Sequence, residues 1–559
     1  MYERIRSIVG AELARLGAGD VDFAVEWPAE LAHGDFATNA AMAAAKSLGK
    51  APREIAEALV PALKEALGAD AARVVVAGPG FVNITLSAAA VSRELEGAIA
   101  AGKAWGMSTL HRGERVLVEY SCPNPFKEMH IGHLMSTVIG ESVARIFAAS
   151  GATVLKDSYG GDVGPHVAKT LWALRKKGVT EPATVREVGD AYTHGSRAYE
   201  ESEEVKKEID ALNVELYTVL AAEQAAHTEA QRELFDLWRK GRDAALAGFR
   251  DIYKVLDTSF DYFIFESETT PIGLTVVRDG LAQGIFEESE GAVIYRGEKK
   301  GLHTLVFITS RGTPTYETKD VGLAFLKEEK MPNDRSYILT GAEQIGHFKV
   351  FLAALEDIAP LVAQKTKHIP HGLLQLATGK MSSREGNVIT AKQLIEDVME
   401  RAGERNEDPV VAEQVAIGAL KYMILRSAPG GNIIFDPEKS LSLEGDSGPY
   451  LQYATVRAVS IIASADALGT APEAPDEVYD IARLITRFPD VVLKAQALEA
   501  PHVIAQYLTQ LAGEWNSFYA QERILGGEHE AYKLALARAF VTTMQNGLAL
   551  LGIPAPERM

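Results

Sequence analysis

The chain has 559 residues, of which 47% are hydrophobic and 24% charged, with a mean hydropathy of −0.02 and a formal net charge of −19. A chain this long exceeds a single core and predicts about three or four domains, while its single cysteine, Cys122, excludes an internal disulfide and a cysteine-rich zinc site. The acidic charge by itself argues against a nucleic-acid partner, and the lack of a membrane-length apolar run or signal-peptide pattern predicts a cytoplasmic protein that does not span a membrane.

The N-terminal segment predicts a small α/β domain over residues 1–110. Pro52 suits the first turn of a helix, and Gly78-Pro79-Gly80 marks a turn between two strands. Helical periodicity predicts helices at 2–16, 38–48, 52–67 and 88–101, and alternation predicts strands at 73–77 and 81–86.

A second domain is predicted over residues 111–435. A strand at 115–120, a helix at 133–150 and a strand at 152–156 form a βαβ unit, which opens a doubly wound, Rossmann-like parallel sheet. The charged helical stretch from about 170 to 256 predicts helices inserted between the two halves of that sheet. Further strands are predicted at 292–295, 303–308, 336–340 and 373–376.

The C-terminal part, residues 436–559, predicts an all-α bundle. Helical periodicity covers 451–465 and most of 476–551. The predicted fold class is therefore α/β, with a doubly wound parallel sheet, a helical insertion, a small N-terminal α/β domain and a C-terminal helical bundle.

The tetrapeptide His130-Ile131-Gly132-His133 follows a strand and a loop and begins a helix. Histidines three apart share one face of the first turn, where backbone N–H groups and the positive helix end favour an anion. Both rings can donate to one triphosphate, and Gly132 allows close approach of an adenine. For this motif alone, two histidines that merely cap the helix are the alternative.

A second motif, Lys380-Met381-Ser382-Ser383, lies about 250 residues later, after a predicted strand and Gly379. A loop lysine among hydroxyls suits charge developing on departing pyrophosphate, although a solvated polar turn explains this tetrapeptide equally well. The two motifs in this order and context are together specific for ATP handling, with His130, His133 and Lys380 as catalytic candidates and Gly132, Met381, Ser382 and Ser383 as further ATP contacts.

With both motifs the chain resembles the class I aminoacyl-tRNA synthetases, and over nearly its whole length it resembles the arginyl-tRNA synthetase family. The segments that carry the resemblance are 118–124, 316–320, 344–347, 448–454 and 550–559, with 32–39 and 77–83 in the N-terminal domain. The family implies ATP with Mg²⁺ as substrate, L-arginine, tRNA(Arg) as partner, and no protein-bound structural metal. A monomer is expected.

The resemblance also implies roles for individual residues. Asp320 would pair with the arginine guanidinium beside Tyr316, and Glu119 is a second acidic candidate. A planar guanidinium favours a carboxylate that accepts two bonds, although for Tyr316 and Asp320 alone a helix start with a packed aromatic is the alternative. The other implied arginine contacts are Cys122, Pro123, Asn124, His133 and Gln344.

Two residues depart from the family pattern, because serine is usual at Cys122 and arginine is usual at Met135. The first puts a side-chain role for Cys122 in doubt, and the second puts a phosphate or tRNA role at Met135 in doubt. The glycine-rich loop at 160–164 is interpreted either as an ATP contact at the strand-order switch or as a plain turn.

The resulting hypothesis is an arginine–tRNA ligase with an N-terminal domain at the outer corner of the tRNA and a C-terminal anticodon-binding bundle. Candidate tRNA contacts are Tyr450, Gln452, Tyr453 and Arg457, of which the tyrosines are equally compatible with a core position. The alternatives are another class I synthetase, a nucleotidylyltransferase with the same His-x-Gly-His helix, or a synthetase-like RNA-binding protein without activity.

Overall fold

The computed structural model describes residues 1–28, 30–377, 389–465, 475 and 478–559. Its N-terminal part is an antiparallel sheet, ordered β1-β2-β4-β3, with helices packed against it. Burial alternates along β4, so one face of that strand meets the apolar stripe of α3. The elements are α1 (Tyr2–Arg15), β1 (Val25–Glu26), β2 (Phe36–Thr38), α2 (Ala40–Leu48), α3 (Pro52–Leu67), β3 (Ala71–Ala77), β4 (Phe81–Leu86) and α4 (Ala88–Ala101).

The central sheet has five parallel strands in the order β12-β11-β5-β6-β7. Its strands are β5 (Arg115–Glu119), β6 (Thr153–Gly160), β7 (Tyr262–Phe265), β11 (Arg335–Gly341) and β12 (Thr366–His371), and α5 (Ile131–Ala149) connects β5 to β6. The strand order reverses between β5 and β11, which is where doubly wound sheets bind ligands. The predicted doubly wound parallel sheet is confirmed.

The helical insertion lies between β6 and β7, inside the first half of the sheet rather than between its halves. The sequence interpretation was wrong on this point because β7, a strand of only four residues that continues directly into the next helix, was not recognised. The inserted helices are α6 (Pro165–Lys176), α7 (Val185–Glu201), α8 (Glu203–Ala221) and α9 (Glu229–Val255). They share a small apolar core of their own around Trp238 and Leu216.

The second half of the catalytic region contains a small antiparallel sheet, β8-β9-β10, and two helices packed side by side, α10 and α11. The elements are α10 (Glu266–Ala282), β8 (Glu287–Ser289), β9 (Ala292–Tyr295), β10 (Leu305–Ile308), α11 (Tyr316–Lys330), α12 (Ile345–Ile358), α13 (Pro360–Lys365) and β13 (Leu374–Leu376). Helix α11 leads into β11 and α12 leaves it, so both helices border the strand-order reversal.

The remaining elements are almost entirely helical. They are α14 (Ala391–Arg405), α15 (Pro409–Leu425), β14 (Ile433–Phe435), α16 (Pro437–Ser440), α17 (Gly448–Ala463), α18 (Asp480–Ile485), α19 (Phe488–Ala497), α20 (His502–Gln521) and α21 (Glu530–Leu550). Helix α15 is buried on nearly all sides and packs on both α5 and α17. Within the described residues, no helix is both long and apolar enough to cross a membrane.

Candidate active site

The two histidines of His130-Ile131-Gly132-His133 cap the start of α5. His130 Nδ1 accepts a hydrogen bond of 3.0 Å from the Gly132 N–H, and His133 Nδ1 accepts one of 3.2 Å from the His130 N–H. A Cβ on residue 132 would lie 2.8 Å from His130 Cε1, so glycine is required there for the His130 ring to fold back. Both rings are therefore held at the positive end of α5.

The protonation state of these histidines follows from their bonds. Burial, followed by the charge of Lys127, lowers the pKa of His130, and burial together with His130 lowers the pKa of His133 well below its usual value. Because each Nδ1 accepts a backbone N–H, the proton of each neutral ring resides on Nε2. The capping bonds thus leave the Nε2 N–H groups of both rings available as donors to a polyphosphate.

The chain on the far side of the second ATP motif returns to this helix start. Lys380, Met381, Ser382 and Ser383 lie outside the described residues. Ile389, the first described residue after them, accepts a hydrogen bond from the Ile131 N–H, and the Ala391 N–H donates to Met129 O at 2.8 Å. The connection of the second motif is therefore anchored beside the first.

The loop between β5 and α5 is backbone-strained. Ser121, Cys122 and Phe126 have positive φ angles of 72°, 51° and 72°. Ser121 is held by a 3.0 Å bond from its N–H to Ser136 Oγ and by a 2.9 Å contact between its hydroxyl and that of Tyr253. Such strain, held in place by surrounding bonds, clusters at functional sites.

Asn124 joins this loop to the end of β6. Its Oδ1 accepts a 2.8 Å hydrogen bond from the Gly161 N–H, and a Cβ on Gly161 would lie 2.6 Å from that oxygen. The 160–164 loop therefore follows β6, between β5 and β7, and not the strand-order switch between β5 and β11. The expected position of this loop at the strand-order switch is therefore wrong, because the sequence alone did not fix the strand order.

Glu119, at the end of β5, is buried and already has a cationic partner. The Lys327 ammonium donates to Glu119 Oε2 and lies 3.3 Å from Asp157 Oδ2, on the neighbouring strand. Burial raises the pKa of Asp157 to about 7, although Lys327 opposes that rise. Cys122 Sγ lies 3.7 Å from Glu119 Oε1, and burial raises the pKa of this thiol well above its usual value. Cys122 therefore acts as a neutral neighbour of the acidic pair.

Three of the predicted arginine contacts lie at or near the starts of α11 and α12. Asp320 accepts a 2.7 Å hydrogen bond from His347 Nε2, Tyr316 is 62% exposed, and Gln344 is exposed at the start of α12. Asp320 also lines the same small cavity as Glu119 and Lys327. The predicted acidic residues Glu119 and Asp320 are thus neighbours in space, although just over two hundred positions separate them.

A further acidic group borders Tyr316. Glu266 begins α10 and accepts a 2.6 Å bond from Lys319, whose ammonium also lies 5.2 Å from the centre of the Tyr316 ring. Burial raises the pKa of Glu266 to about 7, against the effect of Lys319. Among the described residues of the pocket, Lys319 and Lys327 therefore pair with Glu266 and Glu119. Asp320 is instead bonded to His347, and Tyr316 is exposed.

Sequence reasoning missed Lys327, Asp157 and Lys319. A signal was available for Lys327, because it lies seven positions after Asp320, on the same face of α11. The partners of these lysines could not be recognised, since Glu119 is 208 positions from Lys327 and Glu266 is 53 from Lys319.

The candidate tRNA contacts on α17 separate into two groups. The Arg457 guanidinium lies 5.6 Å from the Tyr453 ring centre and 4.4 Å from that of Tyr519, which forms a partly exposed aromatic and cationic cluster. Tyr450 accepts a 3.0 Å bond from Asn516 and is half-buried. Gln452 is fully buried.

The buried side chain of Gln452 has a structural partner. Its amide donates to Gln414 O at 3.0 Å and to Pro554 O at 2.7 Å. The assignment of Gln452 as an RNA contact is therefore corrected: it clamps the C-terminal segment to α15. Sequence reasoning placed it wrongly because a glutamine in a helix is usually exposed.

The strand-order reversal, where doubly wound sheets bind ligands, lies beside a helix start capped by two histidines. The match of a catalytic-domain family model places the chain among the class I aminoacyl-tRNA synthetases. The family described as "tRNA synthetases class I (R), catalytic domain" matches residues 95–436, "DALR anticodon binding domain" matches 451–559, and "Arginyl tRNA synthetase N terminal domain" matches 3–86. The chain belongs to the arginyl-tRNA synthetase family.

Individual relatives agree with this placement. The chain is 32% identical to an arginine–tRNA ligase of Flavobacterium psychrophilum over 492 residues, which cover 81% of each chain. It is 32% identical over 554 residues to an arginine–tRNA ligase of Treponema pallidum, covering 92% of this chain and 91% of the relative. A solved arginyl-tRNA synthetase of Thermus thermophilus superposes over all of both chains with a TM-score of 0.82 at 26% identity.

Proposed function

We propose that the chain activates L-arginine with ATP to arginyl-adenylate and transfers the arginyl group to the 3′ end of tRNA(Arg). The observation that supports this most strongly is the continuity of the β5–loop–α5 element. It carries Glu119 and Asn124 at one end and the outward-facing histidines His130 and His133 at the other. An amino acid bound at the first end would have its carboxylate directed toward a phosphate bound at the second.

In this proposal the arginine side chain enters the pocket between α11 and the β5 end. Asp320 accepts the guanidinium, Tyr316 packs on it, and Glu119 contributes negative potential while Lys327 balances part of its charge. Asn124 and Gln344 bind the polar groups of the amino acid, beside Cys122 and Pro123. Neutral analogues are rejected because they carry no charge to compensate the net negative charge around the partly buried Asp320.

Activation needs no general base, since the attacking arginine carboxylate is already ionised. Its oxygen forms a bond to the α-phosphorus of ATP, which enters with Mg²⁺ on its phosphates, and the bond to pyrophosphate breaks. His130 and His133 donate their Nε2 protons as hydrogen bonds to the phosphate oxygens, where negative charge develops. Lys380 is assigned to the departing pyrophosphate from the sequence motif.

Transfer follows from the same bound adenylate. The terminal ribose hydroxyl of tRNA attacks the arginyl carbonyl carbon, the bond to AMP breaks, and the hydroxyl proton is released. Tyr453, Arg457 and Tyr519 form the surface on α17 and α20 that we assign to unstacked anticodon bases, because stacking on aromatic and guanidinium planes is how single-stranded RNA is bound.

The proposed organisation assigns residues 1–110 to the outer corner of the tRNA, 111–435 to catalysis and 436–559 to the anticodon. We further propose a monomer that acts in the cytoplasm. Sedimentation of the full chain with and without tRNA tests the monomeric state. A dimer in both conditions would refute the proposed monomer.

The proposed aminoacylation activity is tested by charging total tRNA with each of the twenty amino acids in the presence of ATP. Arginine alone should be attached. Attachment of a different amino acid would refute the assigned specificity, and no attachment of any would favour a synthetase-like binding protein.

A further inference from the structure

His347 lies between two carboxylates, one of which is Asp320, the proposed partner of the arginine guanidinium. Its Nε2 donates to Asp320 Oδ2 at 2.7 Å, and its Nδ1 lies 3.4 Å from Glu317 Oε1. The two acids are one turn apart on α11, while His347 is in the first turn of α12. All three side chains are less than one-fifth exposed, so the cluster is largely shielded from water.

The charges around this cluster are unequal. From α11 the imidazole faces Glu317 and Asp320, and from β5 the carboxylate of Glu119 adds to the negative potential at Asp320. His368, on β12, carries no positive charge that could compensate these carboxylates. Burial, followed by the charge of His347, lowers the pKa of His368 to about 4. One cation, His347, therefore serves two carboxylates, and the cluster retains about one negative charge for a ligand.

Asp320 depends on this cation to remain ionised. Burial raises the pKa of Asp320, and Glu119 and Glu317 act in the same direction, whereas the bond from His347 lowers it. Although burial alone would lower the pKa of His347, Asp320 and Glu317 raise it to about 10, so the imidazolium persists throughout the neutral range. A protonated Asp320 would lose its charge attraction for a guanidinium.

We propose that His347 is a positioning residue that keeps Asp320 ionised and aimed at the guanidinium site before arginine enters. The inference rests on the proposed role of Asp320 in arginine binding. It assigns to His347 no contact with the reacting atoms, so its effect should appear in arginine affinity and not in the chemical step.

The test is steady-state aminoacylation by the full chain at saturating ATP and tRNA, with arginine varied at pH 6.0, 7.0 and 8.5. In the free His347→Gln enzyme, Asp320 takes up a proton as the pH falls. Asp320 must lose this proton before arginine can bind. The KM for arginine relative to wild type should therefore rise roughly tenfold or more from pH 8.5 to pH 6.0. The kcat should stay within about twofold of wild type at each pH.

Two further variants separate charge from packing. His347→Lys restores a cation near Asp320 and should remove most of the pH dependence of the KM ratio. His368→Gln alters a neutral ring that stacks on Phe348 and bonds to Thr340 at 2.7 Å, and its KM ratio should be the same at every pH. His347→Asn repeats the measurement if the glutamine variant does not fold.

A KM ratio for His347→Gln that is constant from pH 6.0 to 8.5 would overturn the inference, since a merely structural role predicts a constant penalty. Equal pH dependence in His347→Lys and His347→Gln would also overturn it. In either case the wild type would still charge tRNA with arginine, so these results are distinguishable from failure of the proposed function. Absence of arginine charging by the wild type would overturn the proposed function and the role of His347 together.

Discussion

His130 and His133 stack on each other with ring centres 3.7 Å apart, and each uses Nδ1 to accept a backbone N–H of the same helix start. The capping bonds therefore also determine the donor role of the histidines. Because Nδ1 of each ring accepts a backbone N–H, the ring proton is on Nε2, which is left to donate to a ligand. Helix capping, which was the alternative interpretation of this motif, is present and is what orients the rings.

Removing one of these donors should slow activation. We expect His130→Ala to lower the rate of arginine-dependent ATP–pyrophosphate exchange by about 10²–10³-fold, the usual loss when a transition-state hydrogen bond is deleted. The KM for arginine should change little. His111→Ala, in the same domain but packed against Phe147, is the comparison for loss of a buried imidazole. A KM effect without a rate effect would contradict the assignment.

The lysine of the second motif should also act on the chemical step. Lys380→Ala is expected to reduce kcat for activation while leaving arginine affinity nearly intact, because its assigned partner is the departing pyrophosphate. Pre-steady-state measurement of adenylate formation separates the two quantities. A raised arginine Kd with unchanged adenylation would place Lys380 in the wrong role.

The Glu119–Lys327–Asp157 cluster should contribute strongly to the free energy of unfolding. Lys327→Met leaves two buried carboxylates facing each other and should lower the free energy of unfolding by about 3–5 kcal/mol in urea. Adding Asp157→Asn, which removes one of the two charges, should recover part of that loss. Strict additivity of the two substitutions would show that the charges do not interact.

Two residues on α17 should have separable effects. Gln452→Leu leaves Gln414 O and Pro554 O without their donor and should destabilise the fold by about 1–3 kcal/mol, with little change in the KM for tRNA. Arg457→Ala should instead raise the KM for tRNA with little loss of stability. If both variants raised the KM for tRNA equally, Gln452 would have a role in RNA binding after all.

The local parts of the fold could be predicted from sequence. Helices α3 and α4 begin and end where predicted, because Pro52 and the Ser87 cap mark their starts and Gly68 and Gly102 follow their ends. Strand β7 was missed because its run Tyr-Phe-Ile-Phe has only four residues and continues directly into α10, with no turn between them.

The candidate site likewise has parts that could be predicted from the sequence and parts that could not. The ATP motifs are contiguous in sequence and were found, whereas the ion pairs of Lys327, Lys319 and His347 join residues on separate elements. Nothing local to those residues indicates their partners. The resemblance to the family identified Asp320, but the cation that accompanies it became apparent only from the packing of α12 on α11.

Asp320 is the central residue of the proposed arginine site, and its effect on arginine affinity is the most direct test of that site. Asp320→Ala should weaken effective arginine binding by about 2–5 kcal/mol, the usual loss when one partner of a buried charge pair is removed. Glu329→Ala, an exposed acid on the same helix, serves as the control and should behave as wild type. The measurement is the KM for arginine in tRNA charging: a rise of at least about thirtyfold for Asp320→Ala alone is predicted. An unchanged KM would mean that the guanidinium binds elsewhere.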